Sequence, residues 1–221
     1  MNVMRKSIFA SVLIAGLSLL FTVNCNARVS DKDITKNIEI GYFDKIVASG
    51  NFDIIYSDEA RGITITGPEA GFEKLVAEVS KGTLTLDSDK IRKPRNAKYS
   101  VTLGAETLSA IKLAGSVKFD AEDGIKTDKL DIRASGATDI DIKGLRAKSV
   151  NVVANGSGDI IIDKILCKNL SININGSGDA RFNGKADSAK LTLNGSATVD
   201  LRKLDCSKIN TKANGASEVR R

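Results

Sequence analysis

The sequence contains no histidine and no tryptophan, and only three of its 221 residues are cysteine. Without histidine, the side chain that most often moves protons or activates a nucleophile near neutral pH is missing. Without tryptophan, a cleft that cleaves polysaccharides would lack the indole ring that stacks on sugars. No glycine-rich phosphate loop joins a hydrophobic strand to a helix. The composition therefore predicts a non-enzyme that needs no cofactor.

An excess of one charge is also lacking. The chain has 33 basic and 27 acidic residues, a formal net charge of +6, and the excess is spread along the sequence. Such a balance favours neither nucleic acid nor an anionic membrane as a partner. The densest basic stretch, Lys90 to Lys98, is interpreted as a solvated connection between strands, with a grip on an anionic polymer as the alternative.

The N-terminus has the pattern of a secretory signal peptide. Arg5 and Lys6 precede an uncharged apolar run over residues 8–21, and small and polar residues follow it. This predicts a signal peptide over residues 1–27 and one exported domain over residues 28–221. No later apolar run is long enough to cross a bilayer, so we expect no transmembrane segment in the mature form.

Two processing routes stay open. Cleavage after Ala27 would release a free protein, whereas lipidation of Cys25 would leave a lipid anchor on the mature chain. Either route predicts an exported protein, at the cell surface or in the periplasm and outer membrane.

A glycine recurs about every twenty residues, at Gly115, Gly136, Gly156, Gly176, Gly195 and Gly215. Alternating apolar residues precede each of these glycines, and another alternating pair follows it four and six residues later. The pattern predicts two short strands around one turn in each repeat. Four residues before the glycine, for example, the repeats place Ile132, Val152, Ile172 and Leu191.

A repeat of this size cannot bury its apolar face alone, but stacking on a copy does so, with strands about 4.8 Å apart. The sequence therefore predicts an all-β fold: a single-stranded, right-handed parallel β-helix, or solenoid, of coils of about 20 residues. We expect irregular N-terminal coils over residues 40–104 and regular repeats over residues 105–221. Helical apolar spacing from Pro68 to Ser80 predicts one short helix that covers the first coil.

The two cysteines of the mature chain, Cys167 and Cys206, occupy one column of the repeat together with Ala147 and Ala186. They are two coils apart, roughly 9.6 Å, which is beyond the reach of a disulfide. The expected state of both is reduced and buried.

Asparagine precedes the glycine in four successive repeats, at Asn155, Asn175, Asn194 and Asn214. Asn-Gly tolerates left-handed backbone at a tight corner, and stacked amides can bond to one another along the stack. We interpret these asparagines and glycines as a structural turn ladder. N-glycosylation of the Asn-Gly-Ser sites is the alternative.

An acid recurs three residues after the glycine, including Asp139, Asp159 and Asp179. Stacked carboxylates repel unless a cation lies between them, so these three are the candidate ligands if calcium binds. The preferred interpretation is that they are solvated and accept nearby backbone N–H groups, with no metal. Asp139, Asp141, Asp159 and Asp163 would supply a carboxylate pair in the remote alternative of a polysaccharide-active β-helix enzyme.

The Asn-Gly-Ser-Gly-Asp-Ile turns, the opening run from Phe43 to Ile54 and the strand from Gly82 to Leu86 together resemble the head GIN domain family of putative autotransporter adhesins. The resemblance covers the chain from about Phe43 to the end. It implies an exported, non-catalytic binding scaffold with a role in cell adhesion and an unknown surface ligand, protein or glycan. The alternative is a structural or regulatory envelope protein that binds another protein.

Overall fold

The computed structural model describes residues 32–60, 62–91 and 97–221, and this part of the chain is almost entirely β-structure. The predicted signal peptide and the candidate lipidation site Cys25 lie outside the described residues. Most of the basic stretch between Lys90 and Lys98 does too. The strands are β1 Asp33–Ile38, β2 Lys45–Tyr56, β3 Ile63–Pro68, β4 Val76–Ser80, β5 Thr83–Asp87, β6 Tyr99–Leu103, β7 Ala110–Ala121, β8 Ile125–Lys126, β9 Lys129–Ile142, β10 Leu145–Arg146, β11 Ser149–Ser157, β12 Ile160–Asp200, β13 Leu204–Gly215 and β14 Glu218–Arg220.

Successive repeats pair as parallel strands in one large mixed sheet. Val152 of β11 is paired with Ile132 of β9 on one side and with Ile172 of β12 on the other. All three side chains are buried. Each repeat thus places its inward alkyl groups on those of the repeat before it, which removes apolar surface from water that a single repeat would leave exposed.

The first repeat of this stack lies far from the second in sequence. β2 pairs with β7 along its whole length, from Lys45 with Ala110 to Tyr56 with Ala121, and Gly50 is opposite Gly115. Between β2 and β7 lie the strands β3, β4, β5 and β6. Of these, β5 and β6 pair in parallel with the two halves of β2, so together they supply one more layer.

The sequence pattern predicted that a strand ends at each repeated glycine, but the strands continue through it. β7 and β9 run through Gly115 and Gly136, which have positive φ values of 98° and 94° and pair with each other. The glycine therefore bends a continuous strand instead of separating two. A side chain at Gly136 would place its Cβ 2.5 Å from the carbonyl oxygen of Gly115, so the stacked bend has no room for one.

The all-β prediction is confirmed, but the N-terminal strands depart from a wholly parallel arrangement. β4 pairs antiparallel with β5, β3 pairs antiparallel with β6, and β1 pairs antiparallel with β3. These strands cover the N-terminal end of the stack, where an unpaired parallel edge would otherwise be exposed.

The predicted short helix over Pro68–Ser80 is wrong. Only a single 3₁₀ turn, Glu69–Gly71, is helical there, and after a short turn the chain continues as β4. Lys81 and Gly82, both with positive φ, connect β4 to β5 as a tight hairpin turn. A helix of so few residues is marginal by itself, whereas the hairpin pairs its backbone with the sheet.

The interior of the stack is apolar except for the buried Thr138, and it contains large rings at intervals. Phe52, Phe119, Phe182 and Tyr99 are fully buried. The predicted column four residues after the glycine is also buried from Phe119 to Val199. Cys167 is buried and Cys206 is half-buried, and both thiols are free.

Candidate binding surface

The four predicted asparagines lie in one line on the outside of a corner. Nδ2 of Asn175 donates to Oδ1 of Asn155 at 2.8 Å, Asn194 donates to Asn175 at 2.7 Å, and Asn214 donates to Asn194 at 2.8 Å. Each interior amide therefore donates to one neighbour and accepts from the other. The glycines that follow them stack as well, Gly156 against Gly136 and Gly176 against Gly156.

The carboxylates of the aspartate column bind backbone. The N–H of Asp159 donates to Oδ1 of Asp139 at 3.1 Å, and the N–H of Asp179 donates to Oδ1 of Asp159 at 3.1 Å. Lys118 lies in the same column between Asp53 and Asp139, which separates two like charges. Among residues 32–60, 62–91 and 97–221, no group of three or more His, Cys, Asp or Glu side chains is placed to hold a metal ion.

The other two aspartates of the enzyme alternative also have partners. Asp141 forms a salt bridge of 2.8 Å with Lys143, and Asp163 accepts a hydrogen bond of 2.6 Å from Nδ2 of Asn183. Each of these contacts takes up one carboxylate oxygen, Oδ2 of Asp141 and Oδ1 of Asp163.

A second surface feature was not predicted from the sequence: a groove of about 980 Å³ along another corner of the stack. Its floor consists of β8, β10 and the Ile165–Leu166 part of β12, which pair in parallel. The first residue of each pair is buried, so the second points outward. The outward column reads Lys126, Arg146, Leu166, and we call this cavity the corner groove.

The rest of the corner groove's lining comes from loops near the N-terminal end and from the turn between β7 and β8. It includes Tyr42, whose side chain is 64% exposed, and the acidic side chains Asp58, Glu106 and Asp123. Ser57 Oγ donates to Asp123 Oδ2 at 2.8 Å, which ties this loop to the stack. We call Tyr42 and these three acidic residues the acidic wall of the groove, and Lys126, Arg146 and Lys164 its basic wall.

Tyr56 is hydrogen-bonded to the segment that carries Glu106 of the acidic wall. Its hydroxyl donates to the carbonyl oxygen of Ala105 at 2.9 Å. Burial raises the pKa of Tyr56, and the negative charges of Asp58 and Asp123 raise it further. The hydroxyl therefore stays protonated and remains a donor at neutral pH.

The basic wall has no salt-bridge partners among the described residues, and one of its residues has a strained backbone conformation. Within the part of the chain that the structure describes, Lys126, Arg146 and Lys164 have no ion-pair partner. Lys164 has a φ of 49°, a left-handed conformation that costs an ordinary residue about 1–2 kcal/mol and that Gly124 adopts earlier at the same corner. A non-glycine residue kept in such a conformation at a cavity points to a role beyond the fold.

Sequence reasoning missed the corner groove because the groove brings together segments that are far apart in the chain, such as those of Tyr42 and Arg146. The signal that could have found it is modest: Leu166 is an apolar residue at an outward position of the repeat, and it is 41% exposed. Where a periodic pattern puts a large apolar side chain on the outside, a binding surface is a reasonable expectation.

A family model described as putative auto-transporter adhesin, head GIN domain, matches residues 42–163 and, in a second overlapping match, residues 142–220. The chain belongs to this family. The overlap of the two matches reflects the internal repetition of the sheet, and the resemblance to the head GIN domain family noted in the sequence is confirmed. No curated protein matches the chain.

Solved structures of similar fold include several proteins described as putative adhesins. A putative adhesin from Parabacteroides distasonis has a TM-score of 0.79 at 19% identity, covering 86% of this chain and 82% of its own. A putative adhesin from Parabacteroides merdae has a TM-score of 0.69 at 20% identity, covering 87% of this chain and 98% of its own. A putative adhesin from Bacteroides fragilis has a TM-score of 0.64 at 23% identity, with the same two coverages. At these identities the likeness concerns the fold.

This head GIN domain protein contains no helix, among the residues described, with the length and apolar character needed to cross a bilayer.

Proposed function

We propose that this protein is an exported adhesin of a bacterial envelope, a non-catalytic scaffold that binds its ligand in the corner groove. In this proposal residues 1–27 direct export, and residues 28–221 form one domain, a right-handed β-solenoid capped at its N-terminal end by antiparallel strands. The membership in the head GIN domain family supports the adhesive role, and the corner groove supplies a place for it.

The observation that carries the proposal is the pair of exposed apolar side chains facing this groove. Tyr42 and Leu166 both line this large open cavity, and charged side chains make up much of the rest of its lining. Side chains of this kind, surrounded by polar groups, are the usual anchors of a binding site.

A cell-attachment assay tests the proposal. Bacteria producing the wild-type chain or the Leu166→Ser variant are applied to surfaces coated with mucin or with extracellular-matrix proteins. We expect the variant to attach several-fold less, because it loses an anchor in the groove. Ile55→Ser is the matched control, since Ile55 is also 41% exposed but lies outside the groove.

Equal attachment of wild-type and Leu166→Ser cells would contradict the groove as the adhesive site. Protease treatment of intact cells addresses location separately. Loss of the protein supports surface exposure, and protection until the outer membrane is broken would favour the alternative of a periplasmic structural or regulatory protein.

A further inference from the structure

The corner groove carries a pattern of charge that narrows the chemistry of its ligand. Lys126 and Arg146 project from adjacent strands of the floor, and Lys164 joins them at the rim of the next repeat. Within the described residues, none of the three forms a direct ion pair with an acid. An unpaired basic column of this kind favours a ligand with several negative charges in a row.

The spacing of the column discriminates between polymers. Outward side chains of stacked parallel strands repeat at about 4.8 Å, whereas an extended peptide presents side chains of one face every two residues, about 6.6 Å apart. A pyranose ring advances a sugar chain by about one strand spacing. A polysaccharide with a charged ring at each step therefore matches the column better than an acidic peptide does.

The acidic wall is also suited to a sugar. Ionised carboxylates act only as acceptors, and the hydroxyl groups of a sugar are donors. Glu106 and Asp123 can accept from the hydroxyls of a ring whose anionic substituent binds to Lys126 and Arg146. The exposed ring of Tyr42 offers a flat apolar surface for the C–H face of the sugar.

We propose that the corner groove binds an anionic polysaccharide, a chain of sugars with carboxylate or sulfate groups, along the direction in which the repeats stack. This inference rests on the proposed adhesive function and names the class of its ligand. Lys126 and Arg146 bind the acidic groups, Lys164 adds a third cation, and Tyr42 with Leu166 packs against the rings.

Calorimetric titration of the protein over residues 28–221 tests the inference with defined probes. Oligogalacturonate and heparin fragments are the anionic probes, methyl-esterified oligogalacturonate is the neutral one, and polyglutamate is the acidic peptide. We expect at least one anionic sugar to bind with an affinity that falls as salt rises. The esterified form should bind at least tenfold more weakly, because it keeps the hydroxyls and loses the charge.

Variants assign the binding to the groove. Arg146→Gln and Lys126→Gln should each weaken binding about tenfold, since each removes a charge-assisted contact. Lys168→Gln is the matched control, because Lys168 is an exposed lysine outside the groove. Lys164→Gly should weaken binding while the melting temperature stays equal or rises, since glycine relieves the left-handed strain. If Lys164 had only a structural role, Lys164→Gly would not weaken binding while the melting temperature stays equal or rises.

Three results would overturn the inference: no binding of either anionic sugar, equal binding of the esterified form, or tighter binding of polyglutamate with the same dependence on Arg146. Failure of this inference can be distinguished from failure of the proposed function. If only the inference fails, Leu166→Ser still lowers cell attachment although neither anionic sugar binds the purified protein.

Discussion

Asn194 donates a hydrogen bond of 2.7 Å to Asn175 although the two residues are nineteen apart in sequence, whereas the bonds on either side of it join residues twenty apart. The repeat from Gly176 to Gly195 is one residue shorter than its neighbours, and this difference is absorbed without moving the amide ladder out of line. Its register coincides with that of the buried residues, so the ladder and the core specify the same stacking.

Replacing Asn194 by alanine should lower the free energy of unfolding by about 2 kcal/mol, because the change removes one hydrogen bond on each side. Asn214→Ala removes one bond of the ladder and should cost about half as much. Urea unfolding followed by circular dichroism measures both. Equal effects of the two variants would mean that the interior of the ladder contributes no more than its end.

Replacing Gly136 by alanine should destabilise the protein by more than about 2 kcal/mol, since the residue has a positive φ and a Cβ there would collide with the backbone of Gly115. Gly41→Ala is the control, because nothing lies within 4 Å of a Cβ at that position. We expect Gly41→Ala to change the free energy of unfolding by less than about 0.5 kcal/mol. Similar losses in thermal melts of the two variants would contradict the stacked bend.

Truncation of Ile172 to alanine should cost about 3 kcal/mol, because it leaves a cavity between the stacked side chains of neighbouring repeats. The exposed Ile55 is the comparison, and Ile55→Ala should be close to neutral. Denaturant titration measures the difference. A loss at Ile55 as large as that at Ile172 would show that the inward and outward faces are assigned incorrectly.

Alkaline pH should reveal the buried thiol. Burial raises the pKa of Cys167 to about 11, from 9.0 for the free group. Because the folded state holds this proton more tightly than the unfolded state, the stabilisation is complete below pH 9 and is lost as the pH rises towards 11. Tyr56 and Tyr99, whose pKa values burial also raises, change stability in the same direction.

The contribution of Cys167 is isolated by comparison with Cys167→Ala, which places in the column the residue type found at Ala147 and Ala186. Stability of the wild type should fall more steeply between pH 9 and 11 than that of the variant. Parallel stability curves for the two proteins would show that the thiol is not desolvated in the folded state.

Residues that repeat could be assigned from the sequence because each position is specified several times. The buried columns through Val152 and Ile172 and the line of asparagines follow directly from the period of the glycines. The segment from Pro68 to Ser80 occurs once, and there a helical spacing of Phe72, Leu75 and Val79 was misleading. Pairing with β5 decided its structure, and that pairing depends on a strand outside the segment.

The sequence alone determined the all-β class, the inward columns and the corner of asparagines, since alternation and stacking require the same residue type at the same place in every repeat. The tertiary structure decided the rest. It placed β2 against β7 across a gap of sixty-five residues and turned the N-terminal strands antiparallel. It also joined Tyr42 to Arg146 in one groove. These arrangements depend on contacts between segments with no shared pattern, and such contacts produce no repeating pattern in the sequence.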